Sequence, residues 1–218
     1  MRHAIFFLAL LLPAADAPPA TMTKIVVRLT GSDIKPGSYA ALPKTMYRAG
    51  DHYARIEDPP SARMQSQRLV IIAEPDAYSV NLNDRKGTHA IDQGGPDDLH
   101  LPMILPLDPN RQLGKLDGLE FGNELQFFED AGATKRAGPM INSKPTDAYD
   151  LATPLGRATL VTEANSDIPK FMSWKMKDGT YKYEYFQYQE KPFDLNLFSR
   201  PAGVVFQEIR PVPLAEQG

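Results

Sequence analysis

Short segments that alternate apolar and polar residues, set apart by Gly, Pro, Asp and Asn, follow one another along most of the chain. That pattern restricts the fold more than any other feature, because a period of two sends successive side chains to opposite faces of a strand. In "KIVVRLT" (24–30) Ile25, Val27 and Leu29 share one face, and Lys24, Val26 and Arg28 share the other. "TMYRAGDHYARIED" reads as a hairpin about Gly50-Asp51. "QRLVIIAE" is a continuous apolar run, as in a strand buried on both faces. "AYSVNLND" sets Tyr78, Val80 and Leu82 against Ser79, Asn81 and Asn83, and "KGTHAIDQ" follows a tight turn at 83–86. "DAYDLAT", "GRATLVTEA", "KFMSWKMKDG", "TYKYEYFQYQ" and "GVVFQEI" continue the series, with Met172, Trp174 and Met176 on one face. Roughly ten strands joined by short turns predict a largely antiparallel sheet. The 20 Pro and 15 Gly residues supply those turns.

The middle of the chain departs from the pattern. "DDLHLPMILPLDP" (97–109) is apolar but broken by Pro, which suits a loop or a short helical turn. "DGLEFGNELQFFEDAG" (117–132) fits two periods. Leu119, Phe121, Leu125 and Phe127 fit a strand apart from Asn123, whereas Phe121, Leu125 and Phe128 fit a helix. The ends decide for a helix: Asp117 with Glu120 has the form of a capping box, and Gly132 is placed to end it.

The N-terminus begins "MRHAIFFLALLLPAADAPPA". A basic start, an apolar run of eight from Ile5 to Leu12 and small residues after it read as a secretory signal, too short to span a bilayer. Residues 1–20 are therefore set aside, with cleavage after Ala17 or Ala20, and 21–218 read as one domain. The chain has no Cys, so an exported product has no disulfides to lean on and no site for a bacterial lipid anchor. No second apolar run approaches membrane length. The expectation is a free, soluble periplasmic protein.

Charge and motifs exclude several functions. The net charge of -3 carries no basic stripe, so nucleic acid is not expected as a partner. Of the four histidines, His3 leaves with the signal, and His52, His89 and His100 show no metal-ligand spacing. Phosphate loops, nucleophile elbows and cysteine nucleophiles are missing from the sequence. The reading is a non-enzyme with no cofactor and no metal.

Four of the nine tyrosines stand within eight residues of "TYKYEYFQYQ". Tyr181, Tyr183 and Tyr185 share a face, and two readings stay open: cross-strand packing, or the wall of a ligand groove with rings inward and hydroxyls in water. Phe186 and Tyr188 fall on the other face unless the strand contains a bulge.

The order of these segments resembles the LolA/LolB family of lipoprotein-localisation factors. "HYARIEDP" (52–59) is similar to the family's aromatic-x-Arg-x-Glu strand before Pro. "RLVIIAEPDAYSVNLNDRKGTHAID" is similar to its next hairpin, and "LFSRPAGVVF" (197–206) to its ending. The resemblance implies a mainly β (α+β) fold: one curved antiparallel sheet forming a half-open barrel, with one or more short helices over the concave face. It implies a carrier of an acyl-chain ligand or lipoprotein, handing over to a membrane or envelope protein. Arg55 matches the family's lid-latching arginine. The ligand-facing residues expected on this reading are Tyr181, Tyr183, Tyr185 and Trp174 on the sheet, Phe121, Leu125 and Phe128 on the helix, and Met103 in the Pro-broken loop. The competing reading is a filled barrel that presents strand edges and loops to a protein partner.

Overall fold

The computed structural model describes residues 18–60, 67–91, 116, 118–154, 156–177 and 179–209. Nearly all of the expected signal segment, and the Pro-broken loop with Met103, lie outside the described residues.

The described strands form a single open sheet of twelve. In chain order they are β1 (Thr21–Gly31), β2 (Lys44–Ala49), β3 (Tyr53–Glu57), β4 (Arg68–Ala73), β5 (Asp76–Asn81), β6 (Lys86–Ile91), β7 (Thr134–Ala137), β8 (Thr146–Thr153), β9 (Gly156–Glu163), β10 (Pro169–Met176), β11 (Thr180–Pro192) and β12 (Val205–Ile209). Across the sheet they run β12-β6-β5-β4-β3-β2-β1-β11-β10-β9-β8-β7. Two antiparallel meanders, β1 to β6 and β7 to β11, meet where β1 pairs with β11. The sheet does not close, and β7 and β12 form its edges. With one short helix, α1 (Glu124–Asp130), over the concave face, this is the mainly β half-open barrel that the resemblance implies.

Three features differ from the expectation. Strand β12 pairs with β6 in parallel, the exception in an otherwise antiparallel sheet. Strand β7 has no apolar alternation to announce it, since all four of its residues are exposed. Strand β4 is buried on one face through Leu69 and Ile71, and only half-buried on the other.

The helix is also shorter than 117–132. Its N-cap is Asn123, which makes no side-chain capping bond, so the Asp117/Glu120 box does not start it. Glu120 binds Arg48 instead, and Gly122 at φ 97 turns the chain just before the helix begins. The predicted stop is correct. Gly132 has φ 76 and donates its N–H to Glu129 O at 3.0 Å, while Ala133 N donates to Phe128 O at 2.9 Å. Those two bonds make a Schellman end, which needs a residue that tolerates the left-handed region.

The register sorts the side chains into two faces. Arg48, Ala54, Ile72, Ala77 and Ala90 stand opposite one another in one row across β2 to β6. Tyr47, Arg55, Ile71, Tyr78 and His89 form the neighbouring row on the other face. Each face carries its own apolar cluster. On the helix side, Ile25, Val27, Leu29, Met46, Leu160, Met172 and Trp174 pack beneath α1. On the far side, Leu69, Ile71, Tyr78 and Val80 pack under the segment leading into β12, where Phe198 is 1% exposed.

Candidate functional site

Strand β11 supplies the floor of the helix-covered face. Val26 pairs with Gln187 and Val27 with Tyr185, so Phe186 is an extra residue with no partner across the ladder. This bulge restores the parity, and Tyr188 joins Tyr181, Tyr183 and Tyr185 on one face. Phe186 turns to the other side, where the Arg28 guanidinium sits 5.1 Å from its ring centroid. On β10, Met172 stands opposite Tyr183 and Trp174 opposite Tyr181. The Trp174 ring lies 5.4 Å from that of Tyr183 and 6.3 Å from that of Tyr181. Tyr181 donates to Asp33 Oδ2 at 2.8 Å.

The lid is α1 with the turn before it. Leu116, Leu119, Phe121 and Phe128 are all buried in the floor, and Phe128 has no exposed surface at all. Phe121 meets Tyr183 edge-on at 5.3 Å. Leu125 is only half-buried, at the rim. There, with Gln126, Asp130, Asp167 and Tyr188, it lines an open cleft of about 460 Å³.

Two polar clasps tie this lid to the sheet. Arg48 on β2 donates to Glu120 Oε2 at 2.7 Å and to Phe121 O at 3.2 Å, with both ionic side chains 9% exposed. The second clasp is Glu124, in the first turn of α1 and 1% exposed. Its carboxyl accepts from Tyr185 Oη at 2.8 Å and from Gly122 N at 3.0 Å, and it lies 3.3 Å from Tyr188 Oη, which also donates to Gly122 O at 3.1 Å. Burial pushes the Glu124 carboxyl above the usual carboxylate range, against the pull of these donors. Burial, reinforced by the neighbouring Glu124 carboxyl, pushes the Tyr185 and Tyr188 phenols up as well. Burial does the same to Tyr183.

The structure places Arg55 elsewhere. It lies on the far face, pairs with Glu57 at 2.6 Å and donates to Leu197 O at 2.7 Å, so it holds the C-terminal segment and not α1. On that same face His89 is braced between Asp76 at 2.7 Å and Glu208 at 2.5 Å, and stacks on Tyr78 at 4.6 Å. With both ring nitrogens engaged, the imidazole is set up to fasten β12 to the sheet.

Tyr181, Tyr183, Tyr185, Trp174, Phe121 and Phe128 are thus brought together, and Leu125 stands at their margin. Arg48, Glu124 and Tyr188 belong to the same site and were not singled out from the sequence. Each carried a signal. Arg48 has the strand parity of Met46, which points into the core, and Glu124 sits three residues after Phe121 and four before Phe128, inside the apolar stripe. Among the described residues no group of three His, Asp or Glu side chains converges on a metal site, and no described helix is long and apolar enough to cross a membrane.

No protein-family model matches the chain, and no curated protein sequence matches it. Solved structures do. An uncharacterized conserved protein from Thermus thermophilus aligns over 87% of this chain and 91% of its own, at TM-score 0.47 and 8% identity. A LolA superfamily protein from Nitrosomonas europaea aligns over 84% and 90%, at TM-score 0.34 and 9% identity. The lipoprotein LppX of Mycobacterium tuberculosis aligns over 79% and 88%, at TM-score 0.40 and 10% identity. Identities this low carry no activity from those proteins to this one.

Proposed function

We propose that residues 21–218 act as a periplasmic, non-catalytic carrier of a hydrophobic or lipidated ligand, exported by a signal in 1–20. The observation that carries this reading is the lid. Among the described residues, a seven-residue helix and its leading turn complete a broad aromatic floor. Polar clasps hold that element in place. The floor is filled in the closed state by the lid's own side chains, so an acyl chain enters by displacing them.

The energies make that exchange feasible. Uncovering four lid side chains costs roughly 1.5–3 kcal/mol each, or about 6–12 kcal/mol together. Burying an acyl chain of about sixteen carbons returns roughly 12 kcal/mol at about 0.8 per methylene. Near balance suits a protein that must both take up and surrender its cargo. In this reading Arg48, rather than Arg55, is the latch. Tyr181, Tyr183, Tyr185, Trp174, Phe121 and Phe128 meet the ligand, with Leu125 at the entrance. The Trp174 indole N–H is buried without an acceptor, and an ester or amide carbonyl on the ligand would supply one.

Native mass spectrometry with lipid extraction tests this. The expected result is an acyl-bearing adduct, together with saturable uptake of a fluorescent fatty acid. A protein that is lipid-free and takes up no probe refutes the carrier. One observation favours a second reading, a filled module that binds a protein partner. Val205 is 73% exposed and Ile209 50% on the edge strand β12, beside Ile91 at 47%. That reading requires Val205→Lys with Ile209→Lys to abolish partner capture from envelope extracts, while the wild type carries no lipid.

A further inference from the structure

Glu124 poses a question that lid packing does not answer. A carboxyl group sits with 1% exposure in the first turn of α1, the helix that covers the floor. An apolar residue there would hold the lid as well, at no desolvation cost. An ionised carboxylate in such a place is expensive unless a cation pairs with it. Its contacts are all neutral: the Tyr185 hydroxyl and the backbone N–H groups of Gly122 and Glu124 itself donate to it. The Tyr188 hydroxyl, 3.3 Å away, has its shorter bond to Gly122 O at 3.1 Å and so leaves its oxygen free to accept the carboxylic acid's proton.

Among the described residues, the charged groups nearby are otherwise engaged or of the wrong sign. From β2, Arg48 is turned to Glu120 and to Asp51. In the loop between β9 and β10, Asp167 adds negative charge near Tyr188. On β8 the titratable groups of this face are Tyr149 and Asp147, and Asp147 is held by Lys135 at 3.0 Å. Helix α1 itself contributes Glu129 and Asp130, both exposed. The closed geometry therefore suits a protonated Glu124.

We propose that Glu124 is a proton-binding site that locks the lid: the protonated carboxylic acid keeps α1 docked, and loss of the proton releases it. Opening brings the group into water, where its carboxyl returns to about pKa 4.3. The coupling is reciprocal, so a ligand that holds the lid open expels the proton, and a proton expels the ligand. Deepening the carrier reading, this makes cargo exchange an exchange of an acyl chain for one proton.

The direction follows from the raised carboxyl. The lock is complete below about pH 4.3 and is lost as pH rises through the closed-state value. Between the two values the lid-opening constant climbs about tenfold per pH unit, and above them it levels off.

Native-state amide hydrogen exchange of residues 125–130, corrected for the intrinsic pH dependence, reads this without any ligand. Wild type is expected to show that climb. Glu124→Gln, which keeps the shape and cannot ionise, is expected to be flat. Tyr185→Phe removes a donor to the carboxylate and is expected to extend the climb to higher pH, which guards against Glu124→Gln merely failing to fold. A flat wild-type profile, or opening that falls with pH, overturns the proposal. The ligand arm uses 1-palmitoyl-lysophosphatidylcholine below its micelle concentration, with calorimetry in buffers of different ionisation enthalpy. Release of up to one proton per bound lipid in wild type and none in Glu124→Gln is the expected result. Binding with no proton released overturns the coupling. If exchange behaves as expected and no lipid binds, the lock stands and the carrier reading falls.

Discussion

Arg48 and Arg55 lie on adjacent strands and look alike in sequence, yet one side chain enters the lid clasp and the other faces away from it. Parity explains the difference, because the β2–β3 register sets Arg55 against Tyr47 and turns Arg48 to the opposite face. Arg48→Met removes the Arg48 guanidinium from a buried ion pair with Glu120 and is expected to cost about 3–5 kcal/mol in denaturant unfolding. Arg48→Met with Glu120→Leu recovers most of that loss if the ion pair fixes the lid without adding net stability. Arg55→Met removes a bond to a carbonyl on the far side. It is expected to cost about 1–3 kcal/mol and to leave exchange of residues 125–130 unchanged. The sequence motif drew attention to Arg55 because local patterns show residue types in order, whereas a latch is defined by a partner 72 residues away.

At the scale of elements, α1 is too short to persist alone, since isolated helices below about 12–15 residues are marginal in water. Its docking rests on Phe128, and Phe128→Asp is expected to undock it, raising amide exchange in 125–130 to near the unprotected rate while the strand amides keep their protection. Gly132 gives a finer test. Nothing lies within 4 Å of where a Cβ would stand, so Gly132→Ala pays only for φ 76, about 1–2 kcal/mol in thermal unfolding. Its place was legible because a helix end needs a conformation that few residues adopt. The start was not, because the Asp117/Glu120 pattern is local and Glu120 serves a tertiary partner instead. The strands were legible wherever one face is buried. Polar β7 left no trace, and the bulge at Phe186 appeared only as a broken alternation that had two explanations.

For the molecule as a whole, stability should have an optimum in pH. Asp150, Glu163 and Glu184 are held below the usual carboxylate range by hydrogen bonds from Arg136, Lys170 and Arg28 respectively. Their contribution is lost as pH falls through those lowered values. His89 works from the other side. Burial opposes its charge, but the hydrogen bonds to Asp76 and Glu208 outweigh it and raise the imidazole. That contribution is complete below about pH 6.5 and fades as pH climbs through the raised value. His89→Gln should flatten the alkaline limb of a thermal-stability profile, with a loss of about 1–3 kcal/mol at acid pH. The same change should leave exchange in α1 untouched, because the imidazole and the lid stand on opposite faces.

That two-sided arrangement has a mechanical consequence. A door can swing freely only if its frame does not depend on the door for support. Here the frame is bolted from behind, by Arg55, His89 and the Phe198 wedge, whose contacts lie on the face opposite α1. On the carrier reading proposed above, the protein would stand ajar at the front for as long as a delivery takes and still be the same building when it shuts.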